Sequence, residues 1–182
     1  MDIVPILLQL VLVAFLIFMN GFFVAAEFAC VKIRSSRLET LIAEGSRRAV
    51  YAKRLTDHLD ASLSVTQLGI TLASLGLGWV GEPAVAQLIL PLTRLAGMDD
   101  MVGHTLSLVV AFSIITAGHI VLGELTPKTM AIQNVEKIML SVALPMLIFH
   151  KIMYPFVWGA GLSPPFKGLK SMPSFFSSCS SL

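Results

Sequence analysis

The residues best placed to do chemistry lie in the run Gly118-His119-Ile120-Val121-Leu122-Gly123-Glu124-Leu125-Thr126-Pro127-Lys128, where a carboxylate sits between a glycine and a proline. Pro127 has no N–H, and in a helix its ring would clash with the carbonyl of Gly123, four residues earlier. It also biases Thr126 away from helical dihedrals. The expectation is a broken helix in which Gly123 offers an unpartnered carbonyl beside the Glu124 carboxylate. Both are oxygen donors of the kind that hard cations take. Further polar groups recur in apolar surroundings: Asn20 and Glu27, then Ser62, Ser64, Thr66, Gln67 and Thr71, then Ser107, Ser113, Thr116 and His119. A cation site follows if Asn20, Ser64, Gln67 and Glu124 face one cleft between helices.

A structural reading stands beside it. Pro127 would then simply end a helix at a membrane surface, with Glu124 paired to Lys128 at i,i+4. The hydroxyl and amide groups would join helices to one another. His119 precedes Glu124 by five residues, on another face of an α-helix, and reads as a packed or hydrogen-bonded residue. No His-Glu-x-x-His, Gly-x-Ser-x-Gly or Gly-rich phosphate loop is present, so the sequence does not read as an enzyme.

The elements that must hold these residues are apolar. Of 182 residues 55% are hydrophobic and 13% charged, with mean hydropathy +0.83. A soluble domain carries about 25% charged residues, so the composition excludes a soluble enzyme and a disordered regulator. Three uncharged runs, Ile3 to Ala26, Ala61 to Gly81 and Thr105 to Gly123, each approach or exceed the roughly 20 residues that cross a bilayer. Gly81 and Pro83 suggest that the second helix stops there, leaving an outer connection from Glu82 to His104. A fourth apolar segment, Ile138 to Trp158, contains Pro145, His150, Lys151 and Pro155.

Lys32, Arg34, Arg37, Arg47, Arg48, Lys53 and Arg54 all fall between the first two runs. Basic loops stay in the cytoplasm, which puts loop 32–58 inside, the N-terminus outside, and the chain in the cell membrane as a multi-pass protein. Such clustering does not suggest a nucleic-acid partner. Within the loop Leu38, Leu41, Ile42, Ala49, Ala52, Leu55 and Leu59 recur at helical spacing, with Gly45-Ser46 dividing two short helices. Basic amphipathic helices of this kind lie in the membrane interface against anionic headgroups. A cytosolic helix packing on a soluble domain is the other reading of the same pattern, and both can hold at once. Residues 159–182, with seven serines and three prolines, read as a disordered tail with the look of a truncated end. Cys30 and Cys179 stand too far apart in context to suggest a disulfide framework.

The segments NGFFVAAEFA, SLSVTQLGIT and GELTPK, in this order and spacing, resemble the transmembrane domain of the CNNM/CorC family, in bacteria often labelled hemolysin-like. The resemblance covers residues 1–158. It implies an all-α integral membrane fold with three transmembrane helices, a belt of basic juxtamembrane helices and an in-plane or partly inserted fourth segment. It also implies a homodimer in the lipid bilayer that transports Mg²⁺, with Na⁺-coupled efflux as the proposed mode. Carried over by position, the Mg²⁺ ligands would be Glu124, the Gly123 backbone, Ser64 and Asn20, with Pro127 and Lys128 shaping the helix break. Val24-Ala25-Ala26 are apolar where many members of the family carry serines, so no hydroxyl ligand is offered there. The pair of CBS domains common in the family is not found in these 182 residues. The alternative function is a non-transporting membrane anchor or cation sensor that scaffolds partner proteins.

Overall fold

The structure, a computed structural model, describes residues 3–159; the serine-rich stretch read as a tail lies, beyond Gly159, outside the described residues. Seven α-helices and one π-helical segment follow one another: α1 (Ile3–Lys32), α2 (Ser35–Ala43), α3 (Arg47–Asp57), α4 (Leu59–Leu95), α5 (Asp100–Gly118), the π segment (His119–Leu125), α6 (Thr126–Gln133) and α7 (Val135–Gly159). Three stretches are long and apolar enough to cross a membrane, Val4–Lys32, Leu59–Leu95 and Asp100–Gln133. The chain is an all-α membrane protein.

The second span departs from expectation. α4 does not stop before Pro83 but continues through Pro83 and Pro91 to Leu95, so the outer connection shrinks to the few residues between Leu95 and Asp100. Pro83 lies on the exposed side of α4, where its ring displaces no packed neighbour. The Gly97 backbone, at φ +72°, closes the turn. Pro145 likewise sits on an exposed face without ending α7.

α1 and α4 run antiparallel, and their register is set by small groups. The Phe23 ring covers Gly69, Leu16 covers Gly76, and Val13 packs with Leu77 and Ala84. The buried face of α4 is the series Ser62, Val65, Thr66, Gly69, Ala73, Leu77 and Gly81, a 3–4 spacing that points one stripe at α1 and α5.

At the basic-loop end the two short helices form as expected. Gly45 adopts φ +87°, which ends α2, and the Ser46 hydroxyl caps α3 by accepting from the Ala49 N–H. Their apolar stripe packs on protein. Leu38, Leu41, Ala49, Ala52 and Leu55 are buried against Ala26, Ala29 and Cys30 of α1 and Met139, Val142, Ala143 and Met146 of α7. The reason is that α7 competes for the same face and wins it with a continuous apolar ridge. α7 also climbs α1: Met139 meets Cys30 at 3.7 Å between sulfurs, and the Phe149 ring lies 4.6 Å from that of Phe23. Those contacts are seven residues apart on α1, about 10 Å of rise. The fourth segment is thus a helix that packs along α1.

Candidate functional site

The third span is not broken at Pro127; it is wound wider. Thr126 remains helical (φ −64°, ψ −51°), and its N–H reaches back five residues to the Val121 carbonyl. Widening by one residue keeps the Pro127 ring clear of the turn before it without unwinding the helix. Such π segments are uncommon and are frequently found at functional sites. The change of pitch has a second effect. Residues five apart, which diverge on an α-helix, are neighbours on a π turn, so His119 Nε2 lies 4.0 Å from Glu124 Oε1. The expectation that they occupy different faces fails for that reason.

The freed Gly123 carbonyl is not vacant either. Asn20, wholly buried on α1, donates from Nδ2 to the Gly123 oxygen at 3.0 Å. On its other side Asn20 Oδ1 accepts from Ser74 Oγ of α4 at 3.3 Å, and Ser74 Oγ is 3.3 Å from His119 Nε2. One chain of contacts therefore crosses all three spans: Gly123 carbonyl, Asn20, Ser74, His119, Glu124.

Close backbone approach makes the joint possible. A Cβ on Gly21 would stand 2.8 Å from Pro127 Cγ, and one on Gly123 would stand 3.0 Å from both Asn20 Nδ2 and His119 Cδ2. A side chain at Gly21 would force Pro127 to shift, and one at Gly123 would crowd the Asn20 amide and the His119 ring. The pairs Asn20-Gly21 and Gly123…Pro127, picked out separately in the sequence, are two halves of one contact.

Of the residues singled out from sequence, the structure brings together Asn20, Gly123 and Pro127, with Glu124 at the edge, its side chain 47% exposed. Lys128 turns away from Glu124 and places its ammonium 4.6 Å from the centre of the Phe28 ring. Ser64 is not at the joint. It lies ten residues before Ser74 on α4, about 15 Å along the axis, exposed, with its hydroxyl donating to the Asp60 carbonyl. Gln67 is also nearer the basic-loop end, seven residues before Ser74 on α4, and exposed. Ser74 is the residue that sequence reasoning passed over, and His119 the one it undervalued. Among the described residues no three His, Cys, Asp or Glu side chains gather as a metal site. The donors here are one carboxylate, one imidazole, and neutral oxygens of Ser74, Asn20 and Gly123. That set suits weak, exchangeable binding of a divalent cation better than permanent retention, because Mg²⁺ gives up its water reluctantly to few charged ligands.

Comparison with known proteins agrees with this architecture. Residues 11–164 match the cyclin M transmembrane N-terminal domain, CNNM. The chain is 48% identical over 150 residues to the UPF0053 protein YhdT of Bacillus subtilis, across 82% of this chain and 32% of that protein. It is 47% identical over 158 residues to YhdP of the same organism, across 87% and 35%. With the UPF0053 protein sll0260 of Synechocystis it shares 35% identity over 162 residues, across 86% and 35%. The chain thus spans about a third of the length of these curated relatives.

Proposed function

The chain belongs to the CNNM transmembrane-domain family, and on that premise we propose that it carries divalent cations, Mg²⁺ first among them, across the bilayer through the joint of Asn20, Ser74, Gly123 and Glu124. The observation that carries the reading is the wholly buried Asn20 amide bridging two spans at a π turn, with a carboxylate at the open edge. An ionisable group at membrane depth is costly to insert and marks a pathway by default.

In the closed joint the Gly123 carbonyl is occupied by Asn20 Nδ2. Cation capture replaces that hydrogen bond. Rotation of the amide about its last torsion turns Oδ1 toward the Gly123 oxygen, an exchange of donor for acceptor that only a cation between them makes favourable. Glu124 supplies the one negative charge and Ser74 a further oxygen. Release restores the hydrogen bond, so the apo joint is never left unsatisfied. The clustering of basic residues supports a cytoplasmic 32–58 loop and an N-terminus outside. Export of Mg²⁺ in exchange for Na⁺ and assembly as a homodimer are the modes that the family resemblance favours.

Liposomes containing purified protein and a Mg²⁺ indicator test this. Flux is expected in wild type and is expected to fall at least tenfold in Glu124→Gln. Flux absent from wild type, or unchanged in the variant, removes the carrier reading. The second reading, a non-transporting anchor or cation sensor that scaffolds partners, is favoured by one feature: both polar atoms of the Asn20 side chain already have partners. It expects Mg²⁺ binding without flux.

A further inference from the structure

We propose a second cation station on the approach to the joint, formed by Glu27 of α1 and Gln67 of α4, that holds a hydrated divalent cation. The proposal rests on the carrier reading for its purpose, but its geometry is independent.

Asp60, Ser64, Gln67, Thr71 and Ser74 recur on α4 at intervals of four, three, four and three. That spacing puts them on one stripe, about 21 Å long at 1.5 Å per residue. It is separate from the buried series Thr66, Gly69, Ala73 and Leu77 that packs inward. The first four members of the stripe are exposed, and the fifth, Ser74, is the α4 member of the joint. An ionisable side chain on a spanning helix, such as Glu27, faces a water-filled cavity or the bundle interior, not lipid. α6 packs on α1 and on the π segment but not on α4, and Asn20 of α1 touches both α4 and the π segment. The station lies in the space between α4 and α6 over α1, leading toward Ser74 and Asn20.

The stripe is built to present oxygen. Ser64 Oγ donates its only hydrogen to the Asp60 carbonyl and Thr71 Oγ1 donates to the Gln67 carbonyl, each at 2.8 Å. With those hydrogens spent within the helix, the outward lone pairs are acceptors only. Glu27 adds the charge. It lies seven residues from Asn20 on the same face of α1, about 10 Å nearer the basic-loop end, and Gln67 lies seven residues before Ser74, the α4 partner of Asn20, so the antiparallel helices bring Glu27 and Gln67 to the same level. One carboxylate with neutral oxygens in that space is too few ligands to strip Mg²⁺ of its water. It concentrates the hydrated ion and delivers it along Thr71 to Ser74.

Two measurements test the station. In liposome flux, Glu27→Gln is expected to raise the half-saturating Mg²⁺ on the basic-loop side about tenfold, with the rate at saturation falling by less than half, and Glu27→Asp is expected to restore most of the affinity. An unchanged half-saturation in Glu27→Gln overturns the station while leaving the carrier reading intact. The second measurement needs no transport. In a Cys179→Ser background, Thr71→Cys is expected to react with a membrane-impermeant thiosulfonate from the basic-loop side. Millimolar Mg²⁺ is expected to slow that reaction at least threefold, and to lose the effect when Glu27→Gln is added. Leu72→Cys, one residue on and 50% exposed in an apolar setting, is expected not to react. Equal reactivity at 71 and 72, or no protection by Mg²⁺, overturns the station whether or not the protein transports.

Discussion

α1 passes through two regions that handle polarity in opposite ways. At its basic-loop end the interior is apolar, with Leu38, Leu55, Met139 and Met146 wholly buried, while the charges of Arg37, Glu136, Lys53 and Glu39 pair on the outside. Eleven residues or so further toward its start, the arrangement is inverted. Asn20 is wholly buried at the joint, and the outside is Phe15, Phe18, Phe112 and Val121, all exposed. The difference follows from the solvent each end meets. Against water, apolar burial supplies the free energy and surface ion pairs add little. Against lipid there is no hydrophobic gain between helices, so packing and interhelical hydrogen bonds must hold the spans together. The belt is therefore tolerant of charge edits and sensitive to volume, and the joint is the reverse.

The largest effect that tests this contrast is a loss of volume in the belt. Leu55→Ala removes a wholly buried side chain between α1, α3 and α7 and is expected to cost about 2–5 kcal/mol. Thermal unfolding in detergent measures it. The Mg²⁺ dependence of flux is expected to stay within twofold of wild type. A change in ion response as large as the loss of stability would mean that the two regions are not separable.

The joint is probed by two replacements of Asn20 that differ in one respect. Asn20→Leu leaves the Gly123 carbonyl buried without its donor, a cost of about 1–3 kcal/mol. Asn20→Asp has a similar shape but sets oxygen against oxygen, and so destabilises at least as much in the absence of ions. Millimolar Mg²⁺ is expected to recover the unfolding temperature of Asn20→Asp and to do nothing for Asn20→Leu. Should Mg²⁺ rescue both variants or neither, the joint is a weld between helices and not a place where a cation sits.

These residues also show what could be read in advance. The spans, the belt pattern and the pairing of Gly45 with Ser46 were legible because hydropathy and local turn chemistry are written in neighbouring residues. Gly123 and Pro127 marked the right place, yet the expected break is a π turn: one-dimensional reasoning sees the missing N–H but not the partner that makes a wider helix tolerable. That partner, Asn20, lies 103 residues away. As a ligand, Ser64 came from the family resemblance, and Ser74 is not among the polar residues singled out in the sequence. The α1–α4 register decides between them, and its signal was present in the small residues Gly69, Ala73 and Gly76, which fix the level at which Asn20 meets α4. The extension of α4 past Pro83 had no local signal, since a proline on an exposed face and one that ends a helix look alike in sequence.

The smallest effect expected belongs to the belt's charges, and pH separates it from the rest. Arg37 grips Glu136 with two hydrogen bonds, at 2.9 and 3.2 Å, which hold that carboxyl below its ordinary value of 4.5. A lowered value in the folded state means that the pair contributes above pH 4.5 and that the contribution is lost as pH falls through the folded value. Both side chains are more than a third exposed, 49% and 40%, so screening by water and salt leaves little of it. At pH 7 Glu136→Gln is expected to unfold only marginally below wild type, and the two unfolding temperatures are expected to converge as pH drops below 4.5 or as salt is raised. A gap that widened in acid would show that Glu136 acts through something other than Arg37. A gap at neutral pH as large as that of Leu55→Ala would show that the belt, like the joint, depends on its polar contacts, and the contrast between the two ends of α1 would fail.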